Sequence, residues 1–350
     1  MSGPVRVLVV DDSAFARKVM REVLQADARI EVVAIARDGL DALEKITELS
    51  PDVVTLDLVM PQLDGIGVLD AIRLLPSPPR VVAVTMSDAD SAIGVAALQA
   101  GAFDVVHKPT ALATDRLYEL GAELVEKVLL AAKTAPGTLS PSAALGAAAA
   151  ARAPEKAPRV DLELLLVGAS TGGPRAITQL LRALPADFPI PVAVVVHMPA
   201  GYTEAFATRL DRECALNVVE AKEGTVLRAG VAVVARAGVH MKMRKDGNVL
   251  AVTLDVHPMD ALHRPSVDAL FESAAQVVGQ NVLGVVLTGM GSDGVIGARA
   301  LHAAGARVIV EHESTCVVYG MPRAIVEQGL SDAQVPLHEM AGAIFMRLAT

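Results

Sequence analysis

The sequence predicts an α/β protein of two domains, each built on a mostly parallel β-sheet, and three observations lead to that prediction. Short apolar segments alternate with segments of helical periodicity from residue 5 to about residue 132, which is typical of a parallel sheet covered by helices on both faces. A segment rich in Ala, Pro, Gly and Ser then interrupts the pattern over residues 134–159. The alternation returns beyond it, together with a strong hairpin turn signal, Lys-Asp-Gly-Asn, at 245–248.

The first domain, residues 1–133, is predicted to hold five strands and five helices in alternation. The strand segments are short and apolar, whereas the helical segments carry apolar residues at helical spacing. The predicted strands are Val5–Val10, Ile30–Ala36, Val53–Leu56, Val81–Val84 and Asp104–Val106. The predicted helices are Ala14–Gln25, Leu40–Leu49, Gly65–Leu75, Ser91–Ala100 and Asp115–Ala132.

The segment 134–159 is predicted to be a flexible, mostly disordered tether between the domains, because it is rich in Ala and Pro and carries no charge before Arg152. Ala143–Ala151 favours helix, but a run this short is marginal without packing partners. A short helix docked on a domain face is the alternative.

The second domain, residues 160–350, is predicted to be a doubly wound parallel sheet with a β-hairpin. The predicted sheet strands are Leu164–Val167, Val192–Val196, Val282–Leu287 and Arg307–Val310. The predicted helices are Arg175–Leu184, Thr203–Arg212 and Val295–Ala304. Three short strands, Val231–Val234, His240–Arg244 and Val249–Leu254, are expected to form a β-ribbon laid against this α/β body.

Composition excludes several classes of protein. The 350 residues suit two domains, and a net charge of −9 with 3% aromatic residues and no Trp argues against a nucleic-acid partner. Cys214 and Cys316 form no CxxC pair, which is typical of a cytosolic chain with free thiols. Val5–Val10 is too short for a signal peptide, and no apolar run approaches ~18 residues, so we expect no membrane insertion.

Polar residues follow the predicted strands of the first domain. Asp11 and Asp12, Asp57, Thr85 and Lys108 come after the first, third, fourth and fifth strands. Because the carboxyl ends of parallel strands share one edge, we expect these side chains to converge there. Three carboxylates would repel one another without a hard cation such as Mg²⁺, and one could act as a nucleophile toward a phosphoryl donor. Singly, the carboxylates also suit a helix N-terminus and the lysine a surface position.

The first third of the chain resembles the receiver domain of bacterial response regulators, which has a flavodoxin-like (βα)5 fold. The residues that carry the resemblance are Asp11-Asp12-Ser13, 55–61 (TLDLVMP), Asp64-Gly65, Thr85, 101–104 (GAFD) and Lys108-Pro109. The resemblance implies that Asp57 accepts phosphate from a sensor histidine kinase. It also implies a Mg²⁺ ion held by Asp12, Asp57 and the Val59 carbonyl, with Asp11 assisting.

The same resemblance assigns switch positions to Thr85 and Phe103, with Lys108 pairing a phosphoryl oxygen. The family commonly has a cis peptide bond between the lysine and the following proline, here Lys108 and Pro109.

In the second domain, residues 168–172 (GASTG) match the G-x-S-x-G pattern of a nucleophile elbow. The motif alone fits equally well a glycine-rich turn that cradles a phosphate. His197 and Asp293 favour the first interpretation, because Ser170 and both of these residues follow strands whose ends share one edge. A serine needs a base, and the base needs an acid that fixes its tautomer. His263 is the reserve base and could line the substrate pocket.

This half of the chain resembles the catalytic domain of chemotaxis protein-glutamate methylesterases, the CheB family. The matching segments are 168–173 (GASTGG), 197–199 (HMP), 263–268 (HRPSVD), 287–294 (LTGMGSDG) and 316–322 (CVVYGMP). The resemblance implies a triad of Ser170, His197 and Asp293. Thr171 and Met290 match positions beside the nucleophile whose backbone N–H groups could form the oxyanion hole. The segment 235–238 (ARAG) departs from the family, in which a Pro-Gly turn is usual there.

The two resemblances together imply a phosphorylation-activated hydrolase that serves adaptation in chemotaxis. It would remove methyl groups from glutamyl γ-methyl esters on methyl-accepting chemoreceptors, releasing methanol, and deamidate receptor glutamines. We expect a cytoplasmic monomer that receives phosphate from a CheA-type kinase, with no cofactor in the catalytic domain. The alternative is a receiver-regulated nucleotide-binding or scaffold protein without hydrolase activity. The acidic charge and the lack of a basic recognition helix disfavour a DNA-binding response regulator.

Overall fold

The computed structural model describes residues 3–85, 91–108, 114–134 and 162–348, and the chain divides into two compact units, Met1–Ser140 and Pro141–Thr350. The predicted tether at 134–159 lies outside the described residues, except for Thr134. Pro109, the proline of the predicted cis peptide bond, also lies outside them. None of the described helices is long and apolar enough to cross a membrane.

The first unit is built on a five-stranded sheet in the order β2-β1-β3-β4-β5, with every neighbouring pair parallel. Its strands are β1 (Val5–Val10), β2 (Ile30–Ala36), β3 (Val53–Asp57), β4 (Arg80–Thr85) and β5 (Asp104–His107). Its helices are α1 (Ala14–Gln25), α2 (Gly39–Leu49), α3 (Gly65–Ile72), α4 (Ser91–Ala100) and α5 (Thr114–Lys133). Every residue of β3 and β4 is buried, as expected for central strands covered on both faces.

The second unit is built on a seven-stranded parallel sheet in the order β14-β13-β12-β6-β7-β9-β8. Its strands are β6 (Leu164–Ala169), β7 (Val192–Val196), β8 (Asn217–Glu220), β9 (Val231–Val234), β12 (Val282–Val286), β13 (Arg307–Glu311) and β14 (Ala333–Val335). Its helices are α6 (Gly173–Arg182), α7 (Tyr202–Glu213), α8 (Val267–Val277), α9 (Val295–Ala303), α10 (Met321–Glu327) and α11 (Met340–Leu348), with a 3₁₀ turn at Leu337–Glu339.

The predicted hairpin is present as β10 (His240–Asp246) and β11 (Val249–Asp255), which pair antiparallel. Its turn places Gly247 at φ +59°, a backbone conformation that favours glycine. The hairpin packs on α8, where the Met243 N–H donates to the Ser273 hydroxyl at 3.0 Å. Because Met241 and Met243 are buried in the core of the unit, the hairpin is part of the α/β body rather than a separate arm.

One assignment was wrong: Val231–Val234 is not part of the ribbon. It is strand β9 of the main sheet, between β7 and β8, and all four of its residues are buried. A continuous apolar run is what a parallel strand covered on both faces requires, whereas a half-exposed ribbon alternates. Predicted and observed element ends otherwise differ by at most three residues, as for Gly65–Leu75 against the observed α3. The short strands β8 and β14 and the helices α8, α10 and α11 were not among the predicted elements.

Candidate functional site

Strand β6 lies in the middle of the sheet of the second unit although it comes first in the chain. The chain adds β7, β9 and β8 on one side of it and β12, β13 and β14 on the other. In doubly wound sheets, ligands usually bind beyond the carboxyl ends of the strands at such a reversal of strand order, here at the end of β6. Ser170 follows β6 directly, His197 follows β7 directly, and Asp293 lies in the loop after β12.

The turn that carries Ser170 is tight and depends on glycine. The Gly173 N–H donates to the Ser170 carbonyl at 2.6 Å, so the chain reverses within four residues and enters α6. Gly172 has a φ of +79°, and a Cβ built there would lie 2.7 Å from the side chain of Val317. Both facts exclude a larger residue, so the sequence forces this bend and holds Ser170 at the strand end.

His197 lies next to Ser170 across the sheet. Ala169 of β6 is in register with Val196 of β7, and the His197 N–H donates to the Ala169 carbonyl at 3.1 Å. The following residues, 170 and 197, are therefore neighbours at adjacent strand ends. Among the described residues no hydrogen bond joins the Ser170 hydroxyl to the imidazole.

The imidazole of His197 is oriented by Asp293. Its Nε2 lies 2.8 Å from Asp293 Oδ2, whereas its Nδ1 is buried and has no hydrogen-bond partner among the described residues. Nδ1 is therefore the nitrogen that remains for accepting a proton. The ring stacks on His263 with centroids 4.0 Å apart. His263 thus lies beside His197, the predicted base.

Asp293 is held by the N-terminus of α8. Its Oδ1 accepts from the Ser266 hydroxyl and the Asp268 N–H, both at 2.9 Å, and its Oδ2 accepts from the Val267 N–H at 2.7 Å. Burial alone would raise the pKa of this carboxyl, but the contact with His197 and these N–H groups hold it well below its usual range. Asp293 therefore stays ionised and can stabilise a charged imidazole.

Asp268 of α8 in turn accepts hydrogen bonds from the end of the loop that carries Asp293 and from the first turn of α9. It accepts from the N–H groups of Gly294 and Gly297 at 2.9 and 2.8 Å, and so caps α9. Burial, together with the neighbouring Asp293 charge, raises the pKa of Asp268 to about 6. The carboxyls of Asp293 and Asp268 thus connect the N-termini of α8 and α9 by hydrogen bonds. Neither Ser266 nor Asp268 was assigned from sequence, although a serine followed by an acid at a helix start is a capping signal.

His240 is buried and has a structural role. The Ser266 N–H donates to its Nδ1 at 3.2 Å, so its proton is on Nε2, which donates to the Pro258 carbonyl at 3.3 Å. Burial lowers the pKa of His240, which favours this neutral form. His240 therefore ties together the two ends of the 258–266 segment, which carries His263.

The segment Thr288–Met290 lies against the nucleophile turn. The Ser170 N–H donates to the Thr288 carbonyl at 3.0 Å, and the Thr288 hydroxyl donates to the Thr171 carbonyl at 3.0 Å. A Cβ on Gly289 would lie 2.8 Å from Ser170 Cβ, so only glycine permits this approach. Thr171 directly follows Ser170, and Met290 directly follows the Gly289 that approaches it, so both residues belong to segments that meet at the nucleophile turn. Oxyanion donors would be needed in this region.

In the first unit, the predicted polar residues converge at the carboxyl edge of the sheet. The carboxylates of Asp11, Asp12 and Asp57 have oxygens within 4.8 Å of one another. Lys108 Nζ lies 2.6 Å from Asp57 Oδ2 and 2.9 Å from Asp11 Oδ2, and the Val59 N–H donates to Asp57 Oδ1 at 3.2 Å. This arrangement presents Asp57 among the groups that a hard cation and a phosphoryl group require.

Burial raises the pKa of Asp57, and the Asp11 charge adds to that effect against the opposing contact with Lys108. Burial alone would lower the pKa of Lys108, but its hydrogen bonds to the two carboxylates raise it. Thr85 is buried at the end of β4, and Phe103 is fully buried directly before β5. Thr85 ends β4, the strand next to β3, at the same edge as Asp57. Phe103 lies before β5, which is next to β4 and not to β3, and its N–H donates to the carbonyl of Val81 near the start of β4, so it lies at the opposite end of these strands from Asp57.

Comparison with known proteins covers both domains of the chain. The family model for CheB methylesterase matches residues 165–344, and the model for the response regulator receiver domain matches residues 7–119. The chain is 57% identical, over 97% of its length and 96% of the relative's, to protein-glutamate methylesterase/protein-glutamine glutaminase 5 of Myxococcus xanthus. The chain belongs to the CheB methylesterase family. A relative of the same enzyme name from Symbiobacterium thermophilum is 44% identical over 97% of the chain and 96% of that protein.

The CheB fold is also found among solved structures. The catalytic domain of Thermotoga maritima CheB methylesterase matches with a TM-score of 0.52 and 34% identity, covering 55% of this chain and all of that one. The predicted fold class and the predicted family are thus confirmed, and a nucleotide-binding or scaffold output domain is not favoured. This CheB family member combines a receiver domain with a methylesterase domain in one chain.

Proposed function

We propose that this chain removes methyl groups from glutamyl γ-methyl esters on methyl-accepting chemoreceptors and so serves adaptation in chemotaxis. The observation that carries the proposal is the His197–Asp293 pair beside Ser170, with Nε2 and Oδ2 2.8 Å apart. A glycine-rich phosphate site would not require this pair. The relatives named protein-glutamate methylesterase/protein-glutamine glutaminase support the substrate class.

In the proposed mechanism, Ser170 Oγ attacks the ester carbonyl and transfers its proton to His197 Nδ1. Asp293 stabilises the resulting imidazolium through Nε2. The N–H groups of Thr171 and Met290 stabilise the oxyanion, and one such donor typically contributes about 3 kcal/mol. His197 then returns the proton to the leaving methoxide, and methanol departs. Water, deprotonated by the same imidazole, hydrolyses the acyl-enzyme and restores the glutamate.

The same residues would deamidate receptor glutamines. The acyl-enzyme is identical in the two reactions, but the leaving group is ammonia instead of methanol. Since an amide nitrogen is the poorer leaving group and requires fuller protonation, we expect deamidation to be slower than demethylation at the same site.

We further propose that a sensor histidine kinase of the CheA type phosphorylates Asp57 and thereby activates the esterase. The three carboxylates within 4.8 Å are a donor set that fits Mg²⁺, which would be held by Asp11, Asp12, Asp57 and the Val59 carbonyl. The ion would neutralise charge on the phosphoryl group. Lys108 would pair with one phosphoryl oxygen, as it now pairs with Asp57.

Thr85 would donate its hydroxyl to another phosphoryl oxygen and would shift toward it. Phe103, the second switch residue of the proposal, would respond to that shift of Thr85. The proposed boundaries are a receiver domain at 1–133, a tether at 134–159 and a catalytic domain at 160–350. The proposed location is the cytoplasm, where the kinase and the methylated segments of the receptor would meet the chain. We propose that the chain acts there as a monomer.

The proposal is tested by methanol release from methylated receptor, comparing the intact chain with Ser170→Ala. We expect the variant to lose at least 10³-fold in rate, as removal of a triad nucleophile does in other serine hydrolases. Equal rates for the two proteins would overturn the proposed function. Thr178→Ala, in which the altered hydroxyl lies in α6 and donates to the Pro174 carbonyl, is the matched control for loss of a buried hydroxyl.

A further inference from the structure

Glu311 is a buried carboxyl that the mechanism above does not use. It ends β13, next to β12, and its side chain has no solvent exposure. One oxygen, Oε2, accepts the Thr288 N–H at 2.8 Å. The other, Oε1, is buried and has no hydrogen-bond partner among the described residues. Such a group is costly to bury, so its retention at this position needs an explanation.

Thr288, whose N–H the Glu311 carboxyl accepts, is the residue on which the nucleophile turn depends. Thr288 accepts the Ser170 N–H with its carbonyl at 3.0 Å, and its hydroxyl donates to the Thr171 carbonyl at 3.0 Å. The same hydroxyl accepts the Val318 N–H at 2.9 Å. Glu311 therefore fixes the remaining polar group of a residue that is bonded to both Ser170 and its neighbour.

Two residues further along is Met290, the second expected oxyanion donor. The Gly289 carbonyl accepts the N–H groups of Gly320 and Met321 at 3.1 and 2.8 Å, which holds the far side of this turn. On the near side, the Glu311 carboxyl is the one acceptor of the Thr288 N–H in the part of the chain that the structure describes. Loss of that acceptor would leave a buried N–H unpaired and release the turn from one side.

We propose that Glu311 is a positioning residue for the esterase, whose carboxyl accepts the Thr288 N–H and thereby aligns the Ser170 turn with the oxyanion donors. This proposal rests on the proposed function. The role requires an acceptor oxygen at this distance but no negative charge. Burial raises the pKa of Glu311 to about 7, since its hydrogen bonds, above all that from Thr288, offset only part of the desolvation. The nearby Cys316 thiol, whose pKa burial also raises, adds no charge.

The test uses three variants of the full chain with methylated receptor as substrate. Glu311→Gln keeps both the length and the acceptor oxygen, Glu311→Asp keeps the acid but shortens its reach, and Glu311→Met keeps the volume but removes the acceptor. We expect Glu311→Gln to stay within about 3-fold of the parent in kcat. The Asp and Met variants should lose about 10- to 100-fold in kcat with KM within about 3-fold, because a misplaced oxyanion donor affects the transition state more than substrate binding.

Several outcomes would overturn the proposal. They are Asp and Met variants that fold and keep the parent kcat, a Gln variant as impaired as the Met variant, and a loss confined to KM. Asp and Met variants that both fail to fold would also overturn it, since Glu311 would then be structural. Ser170→Ala, run alongside, separates the two proposals: if it retains activity, the proposed function itself fails, whatever the Glu311 series shows.

Discussion

His197 gives its Nε2 to Asp293 at 2.8 Å and keeps a buried Nδ1 without a partner among the described residues. In the serine protease triad the assignment is reversed, with Nδ1 on the acid and Nε2 on the serine. In this chain the three residues come in the order Ser, His, Asp and follow parallel strands. Ser170 and Asp293 therefore lie at the ends of two different strands, β6 and β12, and His197 lies at the end of a third, β7. In the proposed mechanism, His197 would therefore perform the same proton transfer with the opposite nitrogen.

The first prediction concerns the tautomer of His197. Because ionised Asp293 accepts from Nε2, we expect the neutral imidazole to carry its proton on Nε2 and to present a bare Nδ1. Imidazole ¹⁵N chemical shifts of the labelled protein at a pH where the ring is neutral would measure this. A proton on Nδ1 in that state would contradict the assignment of Nδ1 as the base. The variant Asp293→Asn is expected to lower kcat about 10³- to 10⁴-fold, because it disturbs the tautomer of His197.

The second prediction concerns Ser266, which donates to Asp293 Oδ1 at 2.9 Å and is the N-cap of α8. A hydrogen bond to a charged group typically contributes about 1.5–3 kcal/mol, so we expect Ser266→Ala to lower kcat about 10-fold or more. Loss of the cap adds about 1 kcal/mol of destabilisation. Ser266→Thr keeps the hydroxyl and is the control. An Ala variant with lowered melting temperature but unchanged kcat would show that Ser266 only caps the helix.

The third prediction is a pH dependence of stability caused by Glu311. Its pKa is about 7 in the folded protein, against an ordinary value of 4.5 for a glutamate in the unfolded chain, so the folded state binds the proton more tightly. Its contribution is fully present below about pH 4.5 and is lost as pH rises through 7. As pH rises from 5.5 to 8.5, the free energy of unfolding of Glu311→Gln should therefore increase relative to that of the parent, by on the order of 1–3 kcal/mol.

Thermal unfolding of parent and Glu311→Gln at several pH values measures this difference. The two-unit chain requires that the transition of the second unit be followed separately, since a two-state treatment applies to single domains. A stability difference that stays constant across this pH range would show that Glu311 does not titrate in the folded state.

The fourth prediction concerns activation through Asp57. Treatment with a small-molecule phosphodonor and Mg²⁺ should raise kcat for methanol release in the parent, because the phosphorylated receiver would favour an active population. Asp57→Asn should keep the basal rate and lose the increase. Equal stimulation of the two proteins would show that another residue accepts the phosphoryl group or that the phosphodonor acts elsewhere.

Most of the fold could be predicted from the sequence because its parallel strands are continuous apolar runs that end in glycine or in polar residues. Val231–Val234 was misassigned because it lies close in sequence to the hairpin strands, although its unbroken apolar pattern already indicated a strand buried on both faces. The short strand β14, with only three residues, carries too little periodicity to be detected.

For the site, sequence spacing could bring Ser170, His197 and Asp293 to one edge but could not show how each is held. The choice of Nε2 for Asp293 follows from ring orientation, and the reciprocal capping by Asp268 follows from the packing of α8 on α9. Glu311 is followed by charged and polar residues and looks like the exposed end of a strand. Its burial comes with the hydrogen bond from the Thr288 N–H of the neighbouring strand end, a tertiary contact with no local signal.

The most direct test of the central claim is the rate at which a serine-directed phosphonate labels Ser170, measured by peptide mapping in the parent and in His197→Gln. If His197 activates Ser170, the parent should be labelled at Ser170 alone, and the variant should react at least about 100-fold more slowly, within the usual range for loss of a general base. Labelling at another residue, or equal rates in the two proteins, would contradict the claim that Ser170, His197 and Asp293 act as one catalytic unit.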